Sequence, residues 1–387
     1  MIGAIEPRPD GRRALLKIVG RLLGPPSSAR SSRRKLLVVR PDHLGDLLFL
    51  TPALRRLRQG LPDVEIVGLV GPWGIPVLEG NPNLNRLIAW DFPWFDRRGR
   101  RSAVQASSSL VALARRLRRE HFDLALQFRA DFWWGALAVR LAGIPEQIGF
   151  DVPSVRPFLS RALPVRHGIH AADQDLRLAE VVAGPGGDAH LEFFASNADR
   201  QRAAQLLGAA RPDRPLVALQ SGAGAPVKLW PIERLAAVGT RLQRDFGATI
   251  VALGGPGERD RVVALVQGIG PETIALAGVT SLGELAAVLE RCQLALGPDS
   301  GPLHLAVAVG TPTIHLFGPA DPRRFGPYGD RTRHRVIRSA WPCCPCDRLD
   351  FPSGELAVHQ CMAEITTEQV VEVAANLLRR LDGRAGD

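Results

Sequence analysis

Two short stretches carry residues able to move a proton and to hold a phosphate. The apolar run Leu36–Arg40 opens into Pro41-Asp42-His43-Leu44-Gly45-Asp46 before a helical pattern resumes. Glycine lets the chain turn tightly there, and a carboxylate left at a strand end can accept the proton of a hydroxyl. The other use of Asp46, or of Asp42, is to cap the helix that follows. In the second half, Ser221-Gly222-Ala223-Gly224 leads into Lys228-Leu229-Trp230-Pro231. Small residues such as Gly224 admit a diphosphate to backbone amides, and Lys228 adds a cation. The spacing is neither a Walker P-loop nor the dinucleotide fingerprint, because Val227 stands where a third glycine belongs.

Two further loops have the same placement. Gly254-Gly255-Pro256-Gly257-Glu258 lies between strand and helix patterns; Glu258 is suited either to ribose hydroxyls or to the helix start. Gly297-Pro298-Asp299-Ser300-Gly301-Pro302-Leu303-His304 ends a strand and begins a helix near Pro302, so unpaired amides and a positive helix end suit a pyrophosphate. His304, one turn in, either faces that ligand or is a buried polar group with a backbone partner.

These loops need strands and helices in alternation to position them, and the pattern supplies both. Apolar runs at Leu36–Arg40, Val64–Val70 and Phe122–Phe128 read as strands, with helices over Leu44–Gln59 and Ser107–Glu120. The rhythm restarts after a loop-rich stretch near Gly184–Asp188 and a helix at Asn197–Leu207. Strands follow at Leu216–Gln220, Thr249–Leu253, Thr273–Leu276, Leu294–Leu296 and Thr313–Phe317, with helices at Pro231–Phe246, Glu258–Val266, Ser281–Arg291 and Pro302–Val309. A last helix is expected over Thr366–Leu381. Parallel strands covered on both faces by helices produce this rhythm, so two doubly wound α/β halves are expected, their strand ends facing a cleft.

With 387 residues and 45% hydrophobic composition, the chain can bury two ordinary cores. No apolar run is long enough to span a bilayer and the first residues lack a secretory signal, so a cytoplasmic protein is expected. Arg12–Leu23 reads as a basic amphipathic helix, suited either to an anionic membrane surface or to packing on the protein; Pro25-Pro26 ends it. The net charge of +10 comes from arginine clusters such as Arg97-Arg98, Arg115-Arg116 and Arg118-Arg119, which attract phosphate-rich partners or merely solvate helix faces. No nucleic-acid-binding signature accompanies them. The pair Asp173-Gln174-Asp175 has the form of a metal-binding Asp-x-Asp, but in a helix residues i and i+2 diverge, so a solvated face is expected. Five cysteines, four of them between Cys343 and Cys361, fit reduced thiols; a structural zinc on Cys343, Cys346, His359 and Cys361 is the other reading.

From about Lys35 to Leu381 the chain resembles glycosyltransferase family 9, the ADP-heptose:lipopolysaccharide heptosyltransferases. The carriers are RPDHLGDLLFLTPALRRLR (40–58), QIGF (147–150), LQSGAGAPVKLWPIERLAA (219–237), GGPGERD (254–260) and GPDSGPLHLAVAVGTPTIHLFGPADP (297–322). Their order and spacing carry the resemblance, and Ser221, Ser300 and Phe351 depart from the residues usual there. The resemblance implies a GT-B fold and a single inverting displacement without cofactor or catalytic metal. Asp46 matches the family's base and Lys228 its phosphate-binding lysine. Gly224, Glu258, Asp299, Ser300, Gly301, Pro302, Leu303 and His304 fall in the donor site, while Arg40, His43 and Arg129 are expected at the acceptor.

The expected organisation is a basic extension and linker over 1–34, an acceptor-binding Rossmann-like domain over 35–195, a nucleotide-sugar-binding domain over 196–345, and a Cys-containing segment with the last helix over 346–387. The partners implied are a nucleotide-diphosphate sugar, foremost ADP-heptose, and a lipid-linked anionic saccharide reached from the inner face of the cytoplasmic membrane. Two other readings keep the fold: a different nucleotide sugar or acceptor, or a nucleotide-sugar-binding protein that does no chemistry.

Overall fold

The structure is a computed structural model describing residues 35–95, 102–188, 190–208, 210–211 and 213–381. The expected amphipathic helix Arg12–Leu23 lies outside the described residues. The chain divides into two compact units, Met1–Asp188 and Ala189–Asp387.

The first unit is built on β1 (Lys35–Arg40), β2 (Glu65–Val70), β3 (Arg86–Ala89), β4 (Leu124–Gln127), β5 (Glu146–Phe150) and β6 (Arg161–Leu163), in the order β3-β2-β1-β4-β5-β6. All neighbours are parallel; Leu37 sits opposite Val67 on one side and Ala125 on the other. β1 is apolar between its charged ends because both of its faces are covered: Leu36, Leu37, Val38 and Val39 are all buried, each contributing roughly 1.5–3 kcal/mol where the side chain is fully enclosed. The longer helices of this unit are α1 (Leu44–Gly60), α2 (Ala103–Arg119), α3 (Trp133–Ala142) and α4 (Ala171–Ala183), with α1 packed along α4. Ser102 and Gln105 form a reciprocal cap that starts α2.

The second unit repeats the plan. After α5 (Asn197–Leu206) come β7 (Leu216–Gln220), α6 (Ile232–Phe246), β8 (Thr249–Gly254), α7 (Arg259–Ile269), β9 (Ile274–Ala277), α8 (Leu282–Glu290), β10 (Leu294–Pro298), α9 (Gly301–Ala308), β11 (Thr313–Phe317), β12 (His334–Arg338) and α10 (Thr367–Leu381). The parallel sheet runs β12-β11-β10-β7-β8-β9. Its core joins Val217, Ile250 and Leu294 of the strands to Leu235, Val238 and Leu242 of α6 and to Val370, Ala374 and Leu378 of α10. Buried Trp230 donates from Nε1 to the carbonyl of Ile365, tying the carboxyl-terminal segment to this core.

Both sheets have the doubly wound order in which the second and third strands lie to one side of the first and the last three to the other. The switch points lie between β1 and β4 and between β7 and β10, and ligands of such sheets bind beyond the strand ends there. At the second, Gly297 has φ +156°, and a Cβ on it would lie 2.4 Å from the carbonyl oxygen of Gln220. Glycine is what lets β10 end this close to β7.

The expected central strands are present, as are helices within a residue or two of the expected bounds at Leu44, Asn197, Pro231, Ser281 and Pro302. The sequence reading passed over the interior strand β5 and also β3, β6 and β12. The last three are edge strands, and β6 and β12 alternate too little burial to show a pattern.

Candidate functional site

In the first unit the switch point is filled by a cluster of charges. Arg40, the last residue of β1, is buried; its Nη1 donates to the carbonyl of Phe128 at 2.8 Å and to Asp175 at 2.9 Å. Its Nε lies 2.9 Å from Asp42, and its Nη2 lies 3.8 Å from Oδ1 of Asp46. Asp42 also takes Nη1 of Arg129 at 2.5 Å, and Arg129 is paired with Asp131. Burial alone would weaken the arginines, but the surrounding carboxylates outweigh it and raise both Arg40 and Arg129. Asp46 lies in the first turn of α1, a quarter exposed, with the Arg40 guanidinium facing it.

This geometry separates the two expected uses of the acids. His43 occupies the cap position of α1 and makes no side-chain cap bond, while Asp42 spends its oxygens on Arg40 and Arg129. His43 packs against Trp73 with ring centroids 5.3 Å apart, and Trp73 donates to the carbonyl of Asp42. Asp46 and His43 are partly exposed beyond the strand end. Arg40, expected at the acceptor, lies buried behind them.

The expectation of a solvated Asp173-Gln174-Asp175 is wrong for Asp175. That side chain is 2% exposed and paired with Arg40. The missed signal is helical period: Ala172, Asp175, Leu178 and Ala179 are the buried stripe of α4, so Asp175 falls at an apolar position.

In the second unit, Lys228 closes a short turn over Pro226–Lys228 and its Nζ lies 2.5 Å from Oδ2 of Asp299. The other oxygen, Oδ1, lies 3.2 Å from Nε2 of His304. Burial alone would raise Asp299, but Lys228 and His304 pull it well below the ordinary carboxylate range. His304 is buried with a side-chain partner, where a backbone partner was the expected alternative to a ligand. Behind it the ring of His315 lies 5.2 Å away, and Nε2 of His315 pairs with Thr313, which pairs with His334. Burial holds His315 far below the ordinary histidine value, so it is neutral.

α9 begins at Gly301 after Ser300, with no side-chain cap. Its first amides are therefore open to a ligand, and Oγ of Ser300 is buried without a hydrogen-bond partner. Pro302 has no N–H, and the Leu303 side chain is wholly buried, so only the Leu303 backbone is available. Gly224 faces open space. Glu258 spends Oε2 on the amide of Gly255 at 2.7 Å and lies against Gly222, where a Cβ would meet its Oε1 at 1.6 Å. Arg261, passed over in the sequence, braces the loop by donating to the carbonyls of Ser221 and Trp230.

Among the described residues, Asp299, His304 and His315 are the one group of three or more potential metal ligands, their atoms within 4.8 Å of one another. The ammonium of Lys228 already supplies a cation to that carboxylate. Of the alternative zinc set, Cys361 is buried in the core, Cys343 and Cys346 are exposed, and His359 packs on Phe351 with centroids 3.7 Å apart.

Comparison with known proteins gives a consistent picture. The sequence model of glycosyltransferase family 9 (heptosyltransferase) matches residues 110–351. Lipopolysaccharide heptosyltransferase 1 of Pseudomonas aeruginosa is 27% identical over 320 residues, which span 81% of this chain and 86% of that protein. A glycosyl transferase family 9 structure from Veillonella parvula superposes with a TM-score of 0.76 at 25% identity, covering 90% of this chain and 97% of that one. The structure of E. coli ADP-heptose LPS heptosyltransferase II gives 0.72 at 22% identity, with 90% and 99% covered, and is a likeness of fold.

Proposed function

Since the chain belongs to glycosyltransferase family 9 and is a glycosyltransferase of the GT-B type, we propose that it transfers heptose from ADP-heptose to an anionic saccharide of the lipopolysaccharide core, with inversion and without a catalytic metal. The observation that carries this reading is the pairing of Lys228 with Asp299 beside the open start of α9. A fixed cation and a row of unpaired amides are what a departing diphosphate requires. The similar protein from Pseudomonas aeruginosa is a lipopolysaccharide heptosyltransferase, which supports heptose as the sugar transferred.

In this reading the second unit binds the donor and the first the acceptor. Asp46 accepts the proton of the acceptor hydroxyl as that oxygen bonds to the anomeric carbon; the bond from that carbon to the diphosphate breaks, and its electron pair leaves on the diphosphate. Lys228 and the backbone amides of Ser300, Gly301 and Leu303 receive that charge, while Asp299 and His304 keep the lysine aimed. Glu258 takes ribose hydroxyls, and His43 and Arg129 meet the anionic acceptor. Among the described residues no helix is long and apolar enough to cross a membrane. Peripheral work at the cytoplasmic face would bring such an enzyme to a lipid-linked acceptor.

The test is Asp46→Asn. ADP-heptose should still raise the melting temperature while transfer falls by about 100-fold or more. Transfer at the wild-type rate would remove Asp46 as the base, and protection by a GDP-sugar but not by ADP-heptose would remove the donor assignment.

A further inference from the structure

Asp175 is a buried acid to which the reaction above gives no part. Its Oδ1 lies 2.9 Å from Nη1 of Arg40, and its Oδ2 is buried without a hydrogen-bond partner. The same guanidinium presents Nε to Asp42 and Nη2 to Asp46, so one cation is divided among three carboxylates. An acid that served only to neutralise Arg40 would be redundant, because Asp42 already lies against it. Resting on the reading of Asp46 as the base, we propose that Asp175 is a positioning residue that sets the basicity of Asp46 through Arg40.

The coupling follows from electrostatics. When Asp175 is ionised it draws on the charge of Arg40 and adds a negative charge of its own, and both effects raise the proton affinity of Asp46. When Asp175 is protonated, Arg40 serves Asp46 and Asp42 alone, and Asp46 becomes a poorer base. General-base rates follow that affinity. Burial, together with Asp42 and Asp46 and against the pull of Arg40, pushes Asp175 up to about 7, so it changes state in the working range. The charged groups facing it are Arg40 from β1, Asp42 from the next loop and Asp46 from α1, with Arg129 beyond Arg40. On α4 itself, Asp173, Arg177 and Glu180 lie off the buried stripe.

The experiment is the pH dependence of kcat for the wild type, Asp175→Asn and Asp46→Asn, each checked for a folded thermal transition. The wild type should rise through about pH 7. Asp175→Asn should lack that rise, matching the wild type near pH 6 and running about three- to tenfold slower at pH 8.5, with KM for ADP-heptose unchanged. A rise retained in Asp175→Asn overturns the proposal, and so does an equal loss at every pH, which a purely structural role would give. Should the Asn variant fail to fold, Asp175→Glu serves: a rise with a displaced midpoint supports the proposal, and one at the wild-type midpoint overturns it. Asp46→Asn reports separately, since transfer at the wild-type rate there removes the base whatever Asp175 does.

Discussion

The ammonium of Lys228 lies 2.5 Å from Oδ2 of Asp299, joining the loop after β7 to the loop after β10 across the switch point of one sheet. Both side chains are largely withdrawn from water, so the pair couples the stability of the unit to the proposed donor site.

Removing one partner strands the other. Lys228→Met leaves Asp299 buried beside His304 alone and should destabilise the protein by about 3–5 kcal/mol, as uncompensated buried charges do. Lys228→Met with Asp299→Asn should be less destabilised than Lys228→Met by itself, because the orphaned charge is gone. Thermal denaturation of the three variants measures this, and neither Lys228→Met protein should gain the thermal protection that ADP-heptose gives the wild type.

Gly222 controls where Glu258 can be. An added Cβ would overlap the Glu258 carboxylate, whose flexible stem can swing away only by giving up its bond to the Gly255 amide. Gly222→Ala should therefore cost about 1–2 kcal/mol in stability and raise KM for the donor several-fold, with kcat less affected. An unchanged KM would detach Glu258 from donor binding.

Two buried acids impose opposite pH dependences. Asp175 has a raised pKa, so its contribution to stability is fully present below the ordinary carboxylate value and is lost as pH rises through about 7. Asp299 is depressed, so its contribution is present above the ordinary value and is lost as pH falls through its lowered one. Relative to the wild type, Asp175→Asn should gain roughly 2–3 kcal/mol between pH 5 and pH 8.5. Denaturation across that range tests the sign: a wild type that strengthens against the variant as pH rises would show that Asp175 is not raised.

The sequence by itself determined a great deal here. Apolar runs such as Leu36–Val39 have no solvated alternative in a chain of this size, so they must be central strands, and the glycine and proline loops after them have to lie at strand ends. Asp46, Lys228 and Asp299 are legible because each lies within a short loop or first helical turn after such a run, where local chain direction settles position. Asp175 and Arg261 are not legible that way. Their partners, Arg40 at 135 positions' remove and Ser221 at 40, are reached through packing, and no local pattern encodes which distant charge a buried side chain will meet. Tertiary structure alone decided that Arg40 turns inward to three carboxylates, that Cys361 joins the core while Cys343 and Cys346 face water, and that the ammonium of Lys228 rests on Asp299. A charge is worth little in water and much once buried, so its role is set by what excludes the water.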